Sequence, residues 1–138
     1  MKHIVFGAGL AAALALAAVA SHVPSNSVAF AAGDDGKVVY ASNCIGCHGV
    51  TGRGLPSTFP PLANNAFVTG DPKAVIKVVR RGMSGPVGVN GRHYNGSMPP
   101  WKGTLSNGQI AAVITYIRTS WGNKASAVTE KFVSRTKD

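Results

Sequence analysis

Hydrophobic and polar positions divide the 138-residue chain into an apolar leader, three periodic segments and two long aperiodic ones. Residues 4–20, IVFGAGLAAALALAAVA, carry no charge. Val75, Ile76 and Val79 then recur at helical spacing and predict a helix over about Pro72–Arg81. Asp71 stands at its N-cap, Pro72 at its first position and Gly82 just past its end. The clearest periodicity is Ile110, Val113, Ile114, Ile117 and Trp121. Ser106-Asn107-Gly108-Gln109 ahead of it has the form of a capping box, and Gly122 can end the helix. A shorter helix is predicted over about Asp35–Asn43, capped by Asp34 or Asp35, with Gly36 and Tyr40 on one face. Residues 49–70 and 82–105 are rich in Gly, Pro, Asn and Ser and show no convincing strand alternation. Loops of that length in a compact domain need something to pack against. Residues 124–138 read as a basic tail that frays, with Phe132 and Val133 as its apolar contacts. The expected class is therefore all-α, with about three main helices and long loops.

The leader changes the picture of where the chain works. Lys2, the apolar run and then SHVPSNSVAFAA follow the positive, apolar, small-residue order of a secretory signal peptide. Ala29-Phe30-Ala31 fits a cleavage site, with Ala18-Val19-Ala20 as the weaker alternative; an uncleaved membrane anchor is the competing reading. Three regions are expected: a cleaved signal peptide at 1–31, a domain at 32–123 and a basic tail at 124–138. Export to a periplasm follows, with no transmembrane segment left once the signal is removed.

Cleavage after Ala31 removes only Lys2 of the 14 Lys and Arg, leaving 13 against five acidic residues, or +8. A basic surface favours anionic partners. Export takes nucleic acid away as a routine partner, and no basic run is interleaved with aromatics. An acidic face on another protein is the expected partner.

The candidate chemistry lies in Cys44-Ile45-Gly46-Cys47-His48, which holds both cysteines of the chain. C-x-x-C-H is the pattern of c-type haem attachment. Two thiols at this spacing reach the two vinyl groups of one porphyrin, and the next residue lies under the ring as proximal imidazole. Three rivals are weaker. A thioredoxin-like pair expects a βαβ setting. A zinc site needs a fourth ligand, for which only His93 offers itself. A structural disulfide would close only a tiny loop, with little entropic effect. One covalent haem c through Cys44 and Cys47 also explains the long loops, which would wrap a flat apolar cofactor.

With that motif, the chain resembles the class I cytochromes c, small bacterial monohaem electron carriers. The resemblance runs over about residues 35–122. It rests on GKVVYASNCIGCHG, FPPLA, SMPPW and VITYIRTSWG. Within the family it is most similar to carriers that feed terminal oxidases and to cytochrome domains fused to dehydrogenases and nitrite reductases. The resemblance implies the class I fold. First and last helices would cross beside the haem, with Gly36 and Tyr40 meeting Val113 and Tyr116. It also implies that the Pro60 carbonyl accepts from His48, with Pro61 as near alternative, and that Leu62 packs on the porphyrin.

His48 fills one axial position, and the other separates a carrier from an enzyme. Met83, Met98 and His93 are the candidates after the leader. A thioether favours ferrous iron and raises the potential. Met98 is expected to ligate: it lies 50 residues after His48, is followed by the stiff Pro99-Pro100 pair and occupies the family's Met-Pro position. Met83 has a gap-filling use as its alternative. Tyr94 and Trp101 are expected in the haem pocket. Arg92, Lys102 and the Arg80–Arg81 pair are expected to ring the haem edge for docking.

The expected function is one-electron transfer by an exported carrier that donates to a terminal oxidase or reductase, without catalysis of its own. The alternative is the cytochrome c subunit of a periplasmic or membrane-associated dehydrogenase complex. A haem-based ligand sensor is a third class, and it would need an open sixth position.

Overall fold

The computed structural model describes residues 35–138. The expected signal peptide, and Asp34 as alternative cap, lie outside the described residues. In chain order the elements are α1 (Gly36–Asn43), α2 (Ile45–His48), α3 (Ala66–Thr69), α4 (Pro72–Arg81), β1 (Val87–Val89), β2 (Arg92–Tyr94), α5 (Asn107–Thr119) and α6 (Glu130–Arg135).

Local chemistry fixes each helix start. Asp35 Oδ1 accepts from the Lys37 amide at 2.8 Å, and Asp71 Oδ1 accepts from the Lys73 amide at 2.9 Å. The capping box of α5 is complete: Ser106 Oγ accepts from the Gln109 amide at 3.1 Å, and Gln109 Oε1 accepts from the Ser106 amide at 2.9 Å. These bonds satisfy amides that a helix start otherwise leaves unpaired.

α1 crosses α5, and the crossing is set by a missing side chain. A Cβ on Gly36 would collide with the Ala112 carbonyl and come within 2.8 Å of the Tyr116 Cβ. The helix backbones therefore touch, with Gly36 seated on Ala112 and Tyr116. Tyr40 packs its ring 5.5 Å from Tyr116 and 5.0 Å from Trp121. Val39, Tyr40, Val75, Ile76, Ile110, Val113, Ile114 and Ile117 are buried in one apolar core.

Three expectations are corrected. Trp121 is not part of the last helical stripe: α5 stops at Thr119, and Trp121 takes a left-handed φ of 51° beyond it. That turn swings the indole back onto Tyr40 and Gly52. Second, residues 87–94 form a short antiparallel hairpin with Val87 opposite Tyr94. Three residues per strand are too few to show a period of two. Third, the tail does not fray. Val128 and Val133 are buried, Thr129 caps α6, and α6 packs against α5. Val128 supplies an apolar anchor that a reading of Phe132 and Val133 alone leaves out.

No helix among the described residues is long and apolar enough to cross a membrane.

Candidate functional site

α1 delivers Cys44, and α2 is a single turn that brings Cys47 and His48 round behind it. The Cys47 and His48 amides both donate to the Cys44 carbonyl, at 3.2 and 3.0 Å. The thiols stay unbridged and half-buried at one wall of an apolar cavity of about 250 Å³. Burial, and then the neighbouring Cys47, push the Cys44 thiol up to about 11. Exchange chemistry needs a thiolate and favours lowered values, so the direction of the Cys44 shift runs against an exchange role for that thiol. His93 stands exposed on β2, and among the described residues no group of three or more His, Cys, Asp or Glu side chains could hold a metal ion, so the zinc reading lacks its ligand set.

His48 is half-buried, and its Nδ1 lies 3.0 Å from the Pro60 carbonyl oxygen. A carbonyl only accepts, so Nδ1 carries the proton and the Nε2 lone pair is free for a metal. Burial lowers the imidazole's pKa, and the Pro60 bond opposes that only in part. The neutral ring is the form that ligates. Glycines bring the proline into place. The Leu62 and Ala63 amides donate to Gly52 O at 2.7 and 2.9 Å, and the Gly54 amide donates to His48 O at 2.9 Å. Gly54 has φ 67°, and a Cβ there would strike the carbonyls of Phe59 and Pro60. Only glycine lets this loop lie against the residue that orients His48.

Pro60, Leu62, Met98 and Trp101 all line the cavity. Tyr94 does not. It is buried beside a separate polar cleft with Arg53, Arg92 and His93, because β1 takes the cavity side of the hairpin and β2 the outer side. Met83 also lines the cavity, and it pairs with Met98 through two backbone bonds of 3.0 and 2.8 Å. The gap-filling residue and the expected ligand thus stand side by side. Arg80 is another correction: it is buried, donating to backbone carbonyls, and so it is absent from any exposed ring. Lys102 is exposed but paired with Asp138.

Several functional residues carried no motif. Val75, Val78 and Val79 of α4 and Val87 and Val89 of β1 supply apolar wall. Asn123 donates to Leu62 O at 2.8 Å and Ile117 O at 2.7 Å, pinning the Pro60–Leu62 loop to α5. Asn65 donates to Pro61 O at 2.7 Å. Two asparagines amid turn-forming sequence give no signal, since such residues ordinarily mark turns.

The donor set and its surroundings fit haem c. Two unbridged thiols, one imidazole with a free Nε2 and a large apolar cleft are what a covalently held porphyrin requires. Comparison with known proteins agrees. The family model for cytochrome c matches residues 33–121. Cytochrome c-552 of Thermus thermophilus is 39% identical over 93 residues, covering 64% of this chain and 70% of that protein. The cytochrome c subunit of the quinone-dependent alcohol dehydrogenase of Gluconacetobacter polyoxogenes is 37% identical over 121 residues, covering 83% of this chain but 26% of that protein. The cbb3-type cytochrome c oxidase subunit FixP of Bradyrhizobium sp. (strain ORS 278) is 29% identical over 91 residues, covering 64% of this chain and 28% of that one. A thiol pair, an oriented imidazole and an apolar cleft inside that matched span have one common meaning: the chain belongs to the cytochrome c family, of class I, and transfers electrons through haem c attached at Cys44 and Cys47.

Proposed function

We propose that this chain is an exported one-electron carrier working in a periplasm, with His48 and Met98 as axial ligands, that donates to a terminal oxidase or reductase through an acidic docking face. The observation that carries this reading is the closed set around one apolar cleft: an imidazole held in its ligating tautomer by Pro60, and a thioether on the loop that also lines the cleft. The haem supplies the reversible ferric–ferrous couple. The chain's own part is to hold the imidazole, exclude water from most of the macrocycle and leave no open position for a substrate. Among the described residues, no acid–base pair faces the cleft: its lining includes no Asp, Glu, Lys or Arg and no histidine other than His48. That composition supports electron transfer without catalysis.

A second reading has its own support. The match to an alcohol dehydrogenase cytochrome subunit extends over more of this chain than the match to cytochrome c-552. A stable place in a dehydrogenase complex would use the same haem chemistry. Isolation from native membranes at low salt, followed by gel filtration, separates the two. A lone small monomer that is reoxidised by an oxidase-containing fraction is expected. Co-elution with a dehydrogenase would overturn the carrier reading in favour of the subunit.

A further inference from the structure

The C-terminal segment beyond the family match is bonded to the helix that carries the Met98 loop. Residues 122–138 lie outside the matched span. Arg80, in the last turn of α4, donates from Nη1 to Thr136 O at 2.6 Å and from Nη2 to Val133 O at 2.8 Å. Nη2 also reaches Asn107 Oδ1 at 3.0 Å, and Nη1 lies 3.5 Å from Asp138 Oδ1. Val133 and Thr136 are at the end of α6, where carbonyls lack helical partners. One buried guanidinium therefore closes α6 and joins it to α4. The end of α4 in turn holds the loop. Its Val79 and Arg80 carbonyls accept from the Trp101 and Lys102 amides, both at 3.1 Å, and Met83 pairs with Met98. Gly82, at φ 72°, lets the Met98 backbone pass against the helix end with no room for a Cβ. Asp138 completes a ring by pairing with both Arg80 and Lys102.

We infer that this C-terminal strap, acting through Arg80, holds the Met98 loop in ligating position, so that Arg80 is a positioning residue for the axial bond. The inference rests on Met98 being the second ligand. A thioether is a neutral ligand, and its retention depends on how little freedom its loop has when the sulfur leaves the iron. Proline at 99 and 100 stiffens the loop, and the strap fixes its base.

A merely stabilising tail would give a different pattern, and Arg118 supplies the comparison. It too is buried, donating to Ser126 O at 3.0 Å, Val68 O at 2.7 Å and Gly70 O at 2.9 Å. It ties the same segment to α3 and makes no hydrogen bond to the Met98 loop or to the end of α4. Holoproteins carrying Arg80→Gln, Arg80→Lys, Arg118→Gln and Met98→Ala are compared well below their melting temperatures. The readouts are the near-infrared sulfur-to-iron band of the ferric form and carbon monoxide binding by the ferrous form.

Arg80→Gln should weaken the band and speed carbon monoxide binding about tenfold, the scale of one lost charge-assisted hydrogen bond. Arg80→Lys should recover part of both. Arg118→Gln should lower the melting temperature and leave band and binding as in the wild type. If Arg80→Gln matches either the wild type or Arg118→Gln in these readouts, the inference is overturned. If Arg80→Gln yields no holoprotein, Asp138→Asn decides, with faster carbon monoxide binding expected and an unchanged rate counting against the strap. A band that survives Met98→Ala would remove the ligand assignment itself, an outcome distinct from failure of the strap.

Discussion

At the scale of single residues, the site depends on which atom of each side chain is left free. His48 gives Nδ1 to Pro60 and keeps Nε2. Tyr40 donates its hydroxyl to Gly49 O at 2.7 Å, and burial raises its pKa, so it stays a neutral donor bracing the turn behind the motif. Met98 and Met83 are the residues that geometry leaves as neighbours, and the proposed ligation rests on what surrounds each in the chain. Met98 is followed by two prolines that give its loop one path, whereas Met83 follows a glycine. Met98→Ala is expected to abolish the ferric near-infrared band. It should also lower the potential by on the order of a tenth or more of the roughly 0.8 V range that axial ligands command. Met83→Leu keeps an apolar side chain of similar volume and should leave both nearly unchanged. Redox titration of the two variants checks this, and the reverse result would move the ligand to Met83.

At the scale of elements, the α1–α5 crossing carries the fold, and it is built on contact between backbones. Gly36→Ala would drive a methyl group into Ala112 and Tyr116. Overpacking of this kind costs about 1–3 kcal/mol, and each kcal/mol shifts the melting temperature by about 4–8 °C in a domain of roughly this size. Thermal unfolding followed at the haem absorption is expected to show that loss, with the ligand bands unchanged in the native state. A variant melting within a degree of wild type would mean that the helices part without penalty. The helices were legible in the sequence because their signals are local: Asp35, Asp71 and the Ser106–Gln109 box each act within three residues. The motif was legible for the same reason, with its thiols and imidazole in five consecutive positions. What stayed hidden is held by distant partners. Arg80 and Thr136 lie 56 residues apart, Arg118 and Val68 lie 50 apart, and Asn123 and Leu62 lie 61 apart. A surface arginine and a buried one look alike until their carbonyls are found. The β hairpin and α6 escaped because they are too short to show a period. Tyr94 was misplaced because which side of a hairpin meets the cavity is not written along the strand.

At the scale of the whole molecule, charge is the handle by which the proposed acidic partner would find the haem edge. The full chain carries +9. Arg80 and Arg118 are taken up by buried carbonyls, and the charge of the exposed Lys102 is offset by Asp138, so each offers a partner less than an unpaired surface cation would. Arg53, Arg81 and Arg92 are exposed. Arg53 and Arg92 frame one cleft with His93 and Tyr94, next to the hairpin strand that lines the haem cavity. An acidic face docking there would bring its redox centre near the macrocycle. Charges at such a rim act on association rate more than on the strength of the finished complex. Ionic strength of about 0.1 M shortens the screening length to about 10 Å and weakens that steering. Second-order electron transfer to an acidic copper or haem acceptor should therefore slow steeply with added salt. Arg92→Glu should slow it severalfold at low salt, converge on the wild type at high salt and leave the potential nearly unchanged, because Arg92 lies on the outer strand of the hairpin. Lys102→Glu should do less to the encounter than Arg92→Glu, since Lys102 already faces a carboxylate. Stopped-flow rates for both variants across a salt series test the assignment. Salt-independent rates in the wild type would remove the electrostatic encounter altogether, and equal effects of the two reversals would move the docking face away from the Arg53–Arg92 cleft.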